Sequence, residues 1–318
     1  MTGEHPRSGR VESSSTSRLV RSGNSAKSAG DSLQTSKGGI SKPNGKRSYV
    51  THSRVEAIRS QLSDKQRLVI VDVDKLGIVS GKQLQLLHYG PSAAGGRLTR
   101  KHLGQLIRWQ VLIRMGRTIG GERAGSAGYV YSLGPAGQRL EYPDRSRYVP
   151  RWTPRPGYLR HALAVSELYV SLRQMERSGS VEILAYDTEP RCWRRYFGPG
   201  GAPSVLKPDS LAIVGLGDFE YRYFIEIDCG TEHRPQIIQK AKAYVRYFQS
   251  GREQAETGIF PFVIWSVPDE QRADLLIDAL TSLPAEHWQL FMVTTADQAA
   301  DRIAGGHSEA ISNPKEVT

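Results

Sequence analysis

Apolar positions along the chain fall into two kinds of spacing, helical in some stretches and strand-like in others. Ser63 and Asp64 are placed to cap a helix carrying Leu68, Val69, Val71 and Val73 to a stop near Gly77, and Ser80 opens a second helix through Leu84, Leu86 and Leu87. A third helix is predicted to begin near Leu98 or Thr99. It turns Leu98, Leu103, Leu106, Ile107 and Trp109 toward a core and leaves Arg97, Arg100, Lys101, His102 and Arg108 to other faces. Residues 111–118 and 129–133 flank a glycine-rich turn that includes Gly120, Gly121, Gly125 and Gly128, the pattern of a β-hairpin. Asp72 and Asp74, two apart on a predicted helix, point to different faces and are expected in solvent.

Pro135, Pro143, Pro150, Pro154 and Pro156 then punctuate the chain, so an interdomain connection is placed at 141–156. Beyond it the pattern predicts a helix over 158–177, strands over 181–187, 210–214 and 222–228, a helix over 232–249, a strand over 262–267, a helix over 269–282 and a strand over 290–294. These elements make an α+β or α/β chain. Three helices and a hairpin, the order of a winged helix-turn-helix, precede a mixed sheet flanked by helices. The expected organisation is a disordered basic tail (1–50), the winged-helix module (51–140), a linker (141–156), an α/β domain (157–300) and a loose tail (301–318).

Charge narrows the partner. The 318 residues hold 43 Lys and Arg against 32 Asp and Glu, a net charge of +11, which favours a polyanion. No apolar run approaches the ~20 residues of a membrane-spanning helix. Residues 1–10 carry no apolar stretch, so a secretory signal is not expected, and two cysteines, Cys192 and Cys229, suit a reducing cytoplasm. The first 50 residues set nine basic side chains against three acids; such a tail can hold DNA nonspecifically or act as a solvating leader.

Between positions 97 and 123 the imbalance is local: Arg97, Arg100, Lys101, Arg108, Arg114, Arg117 and Arg123 face a single acid, Glu122. In a helix-turn-helix the first four suit a recognition helix in the major groove of double-stranded DNA. The last three suit a hairpin gripping the adjacent backbone. The alternative is a solubilised helix face on a module that contacts protein.

A second constellation is acidic. Asp209 follows Pro208 at the opening of one apolar strand, and Glu226 and Asp228 close another, both on the face opposite Ile225 and Ile227. On adjacent strands the three carboxylates would converge as an oxygen cage for Mg²⁺ or Mn²⁺. Taken singly, Asp209 would cap a turn and Asp228 would start one before Gly230. The following helix carries an apolar stripe of Ile237, Ile238, Ala241, Val245 and Phe248, with Lys240 and Tyr244 along its edge. There Lys240 can neutralise phosphate charge or simply snorkel beside packed tyrosines.

Several short motifs carry a family resemblance. They are Leu133-Gly134-Pro135-Ala136-Gly137, His161-Ala162-Leu163-Ala164-Val165, Pro208-Asp209, Glu226-Ile227-Asp228-Cys229-Gly230-Thr231-Glu232, and Lys240 with Tyr244. Their order resembles the PD-(D/E)XK nuclease fold, and the full layout over about 60–285 resembles the replication-relaxation family of bacterial plasmids and mobile elements. The resemblance implies a DNA-binding protein with replication or transfer proteins as partners, in which Asp209 and Glu226 match the metal-binding acids. Asp228 occupies the position of the pattern's lysine, so either Lys240 serves from the helix or catalysis has been lost. Three activities follow: a metal-dependent nuclease using Asp209, Glu226 and Lys240, a transesterase with Tyr244 as nucleophile, or a noncatalytic regulator or replication accessory factor. Glu167, the candidate assisting acid on the first helix of the second domain, is expected in solvent, and His161 is expected to be a satisfied core histidine.

Overall fold

The computed structural model describes residues 50–115, 128–144, 148–149 and 155–306. Both expected tails lie largely outside these, as do the hairpin turn with Arg117 and Arg123 and half of the expected linker. All described residues fall within one compact unit.

Capping side chains fix where the first helices begin. Thr51 accepts from the Arg54 N–H and starts α1 (His52–Gln61), an element that the sequence pattern does not predict because only Val55 and Ile58 are buried on it. Ser63 and Gln66 form a reciprocal capping box at the start of α2 (Asp64–Leu76), which Gly77 ends at φ 77°. After the short strand β1 (Val79–Ser80), Ser80 and Gln83 form a second such box at α3 (Gly81–His88).

The next helix, α4 (Ala93–Arg108), starts at Ser92, earlier than predicted. Gly95 and Gly96, N-terminal to the predicted start at Leu98 or Thr99, lie within the helix. A Cβ on Gly95 would sit 2.4 Å from the Tyr89 carbonyl oxygen, so glycine permits the close approach of α4 to the end of α3. Strands β2 (Leu112–Met115) and β3 (Val130–Leu133) pair antiparallel, and β1 joins β3 to complete a three-stranded sheet. Immediately after it, the Gly-Pro-Ala-Gly sequence forms α5 (Pro135–Glu141), also unpredicted; a Cβ on Gly137 would lie 2.2 Å from the Val111 carbonyl.

The remaining order is α6 (Pro156–Arg177), β4 (Glu182–Thr188), β5 (Arg194–Phe197), β6 (Pro203–Leu206), β7 (Ser210–Leu216), β8 (Phe219–Ile227), α7 (Arg234–Gln249), α8 (Arg252–Thr257), β9 (Phe262–Val267), α9 (Glu270–Leu280), β10 (Phe291–Thr295) and α10 (Ala299–Ala304). Five strands form a mixed sheet in the order β10-β9-β8-β7-β4. Its β4, β7 and β8 are antiparallel, and β8, β9 and β10 are parallel. The chain is therefore α+β. The β5–β6 hairpin, α8 and α10 are additions to the predicted elements; α10 runs through Ala304 with Ile303 fully buried, where the sequence pattern places a tail.

Side chains alternate across β8. Tyr223, Ile225 and Ile227 face α6, whereas Phe224 joins Trp265, Phe291 and the apolar side of α7 and α9. One apolar cluster continues from α1–α3 through α6 into the first of these faces. Asp72 and Asp74 help to make that junction and are not in solvent as expected. Asp72 accepts from the Tyr169 hydroxyl at 3.2 Å and lies 3.1 Å from His88 Nε2, while Asp74 accepts from Tyr142 and lies 2.5 Å from Arg191. The two-residue step does send them to different faces, but each meets a neighbouring element there. Among the described residues no helix is long and apolar enough to cross a membrane.

Candidate functional site

On α4 the amphipathic period buries Thr99, Leu103 and Leu106 and leaves Arg97, Arg100, Lys101 and Arg108 exposed. None of these four cations is ion-paired with a described residue. Leu98, expected in the core, is partly exposed, while Ile107 and Trp109 pack against the core from its margin. On β2, Arg114 is exposed, with its guanidinium 4.1 Å from the centre of the Tyr129 ring. His102 is held by the Tyr89 hydroxyl at 2.9 Å, and burial followed by the charges of Lys101 and Lys65 lowers its pKa, which disfavours a further positive charge there.

The acidic constellation is built around the junction of β7 and β8. Asp209 Oδ2 accepts from the Ile227 N–H at 2.7 Å, which ties the opening of β7 to the end of β8. Its Oδ1 lies 3.2 Å from His161 Nε2, and His161 Nδ1 donates to the Ile227 carbonyl at 3.0 Å. Both ring nitrogens thus face acceptors. The hydrogen bond to Asp209, followed by that to Cys229, pushes the imidazole up to about 10 against the opposing effect of burial.

On the neighbouring strand, Glu226 is 1% exposed and fully engaged. Lys240 Nζ lies 2.8 Å from Oε2, and the Tyr244 hydroxyl donates to Oε1. Burial and the nearby Asp209 push Glu226 up, with Lys240 and Tyr244 pulling the other way. Lys240 also reaches Glu232 at 2.6 Å; desolvation works to lower its pKa, but the charges of Glu226 and Asp209 outweigh it and raise the ammonium. Tyr244 is buried among Phe224 and Trp265, and desolvation first, then Glu226, holds its hydroxyl well above its ordinary pKa. It is a buried donor to Glu226, which is poor geometry for a nucleophile.

Asp228 does not join the other two acids. Its Oδ1 accepts from the Gly230 and Thr231 N–H groups at 2.7 and 3.3 Å, and its Oδ2 lies 2.6 and 2.5 Å from Arg272 Nε and Nη2. Asp228 therefore starts a turn, and Gly230 completes it at φ 78°. Glu167 is exposed, as expected, and accepts from Gln83 Nε2 at 2.7 Å.

Every carboxylate oxygen of Asp209, Glu226 and Asp228 thus accepts from a protein donor, and each acid has its own cation, His161, Lys240 or Arg272. Among the described residues no group of three or more His, Cys, Asp or Glu is placed to hold a metal ion. So arranged, the donor set does not fit Mg²⁺ or Mn²⁺, which needs free carboxylate oxygens converging on one point.

Two of these three cations are not assigned to the acids by sequence reasoning. His161 reads as a core histidine in the sequence, although its position at the start of a helix facing the strand ends is a usable signal. Arg272 lies 44 residues from Asp228 and carries no local signal at all.

Residues 71–263 match the model of a family described as replication-relaxation. No curated protein and no solved structure matches the chain.

Proposed function

From the chain's membership of the replication-relaxation family, shown by that match over more than half its length, we propose that it binds double-stranded DNA during replication or relaxation of a plasmid or mobile element. In this reading α1–α4 and the β2–β3 hairpin act as a winged helix. Recognition helix α4 enters the major groove with Arg97, Arg100, Lys101 and Arg108, and Arg114 meets the adjacent backbone. The observation that carries it is the one-signed face of α4, whose four cations have no ion-pair partner among the described residues. Surface cations kept for solubility commonly alternate with acids and pair with them, whereas these four do not alternate with acids and pair with none among the described residues.

The five-stranded sheet with Pro208-Asp209 and Glu226 on neighbouring strands follows the order of a PD-(D/E)XK nuclease, and we read it as a noncatalytic descendant of that fold. Full neutralisation of Asp209, Glu226 and Asp228 by His161, Lys240 and Arg272 supports this reading over hydrolysis or transesterification. In it the acids stabilise the ends of β7 and β8 and leave DNA contact to α4.

Two measurements test the proposal. Replacing Arg97, Arg100 and Lys101 together by Ala should weaken duplex binding and flatten its logarithmic salt dependence by about 0.9 for each phosphate that is no longer neutralised. An unchanged slope would remove α4 from the interface. Incubation with supercoiled plasmid and Mg²⁺ or Mn²⁺ should leave the plasmid supercoiled; nicking that vanishes in Asp209→Ala and Glu226→Ala would restore the nuclease reading.

A further inference from the structure

The β5–β6 hairpin stands apart from both constellations. Residues 190–208 contain Arg191, Arg194, Arg195 and Lys207 and no acid. Strand alternation divides these side chains. On the inner face Tyr196 and Leu206 are buried, with Tyr196 4.9 Å from the Tyr247 ring, and Arg194 lies 2.9 Å from the buried Glu253. At the base, Cys192 Sγ donates to the Pro208 carbonyl at 3.0 Å, and Arg191 is held by Asp74. The hairpin is therefore firmly seated, and two of its four cations are spent on seating it.

The outer face is different. Cross-strand register sets Arg195 opposite Val205 and Phe197 opposite Pro203, and all four are exposed. Phe197 is 72% exposed, more than any other large apolar side chain among the described residues. Lys207 is also exposed, with its ammonium 4.6 Å from the centre of the Trp193 ring; neither it nor Arg195 is ion-paired with a described residue. The tip is short. Gly200 and Gly201, at φ 73° and 76°, adopt a conformation that disfavours side chains, and the Gly198 N–H donates to the Ala202 carbonyl at 2.8 Å.

A firmly seated hairpin with an aromatic ring in solvent at its tip and, on the same side, two cations without an ion-pair partner among the described residues is a stacking platform beside phosphate contacts. The geometry points to a second nucleic-acid site on this protein, in which Phe197 stacks on an unpaired base and Arg195 and Lys207 hold the flanking phosphates of single-stranded DNA. Charge complementarity selects this occupant over a protein: an apolar partner face would leave two cations desolvated without a counter-charge. Stacking requires a base out of the duplex, so the site reads single strand, whereas α4 is proposed to read the duplex.

The test uses the full chain, a fluorescently labelled oligothymidylate and, separately, a blunt duplex. Phe197→Ala should weaken oligothymidylate binding by about 5- to 150-fold, the range for removing the stack under one base, and leave duplex affinity unchanged. Phe197→Trp should restore it. Replacing Arg195 and Lys207 by Ala should reduce the logarithmic salt slope for the single strand by about 0.7 per phosphate released. Equal oligothymidylate affinity in wild type and Phe197→Ala, or equal weakening on single strand and duplex, would overturn the proposal. The triple alanine variant of α4 separates the two readings: it should lose duplex binding while keeping the response of oligothymidylate to Phe197→Ala.

Discussion

His161 places a doubly hydrogen-bonded imidazole between the Asp209 carboxylate and the Ile227 carbonyl. A neutral ring could donate to only one of them, so the folded protein favours the charged ring. Its folded pKa of about 10 against an ordinary 6.5 means that the native state holds a proton that the unfolded chain releases. The resulting stability is fully present below pH 6.5 and is lost as pH rises through about 10. Thermal denaturation of wild type should therefore show Tm falling from pH 6.5 to 10, and His161→Gln should flatten the fall. Parallel profiles for the two proteins would mean that His161 is neutral in the fold.

At the scale of the element, α4 shows that two glycines in one helix can have opposite meanings. A methyl group on Gly95 would meet the Tyr89 carbonyl at 2.4 Å, a backbone atom that cannot move aside without disturbing the end of α3. Near Gly104 a Cβ would find only the tip of Arg108, at 3.9 Å. Gly95→Ala is therefore expected to destabilise by about 1–3 kcal/mol through overpacking. Gly104→Ala should stabilise by about 0.5–1 kcal/mol, since alanine loses less chain entropy in a helix interior. Urea denaturation of the two variants decides the matter by sign alone. The contrast also explains the late helix start predicted from sequence: glycine propensity disfavours a helix at 95–96, and packing against α3 overrides it.

For the whole molecule, the junction between the α4-bearing segment and the five-stranded sheet governs behaviour. Ser166 Oγ donates to the Ile78 carbonyl at 2.8 Å, Thr188 donates to the Lys75 carbonyl, and Asp72 and Asp74 reach α6 and the β4–β5 connection. With apolar packing also continuous from Val69 and Leu84 to Val165 and Tyr186, neither part can unfold without exposing the other's buried surface. One calorimetric transition, with van't Hoff and calorimetric enthalpies equal, is the expected result; two resolved transitions would show that the parts unfold independently. Coupling of this kind would also fix the direction in which the β5–β6 hairpin projects relative to α4.

Local chemistry written in the chain decided much of this protein. Ser63 with Gln66 and Ser80 with Gln83 set two helix starts, strand alternation put Glu226 on the face opposite Ile225, and one-signed charge marked α4. These are short-range effects, in which the residues that matter are neighbours in sequence. Tertiary structure decided the rest: that Arg272 neutralises Asp228, that His161 completes Asp209, that Asp72 and Asp74 meet other elements, and that Phe197 stands in solvent on a seated hairpin. Each depends on contacts between positions far apart in the chain, which periodicity cannot pair. A buried carboxylate is costly until a specific partner arrives, and only the folded chain determines which cation that is.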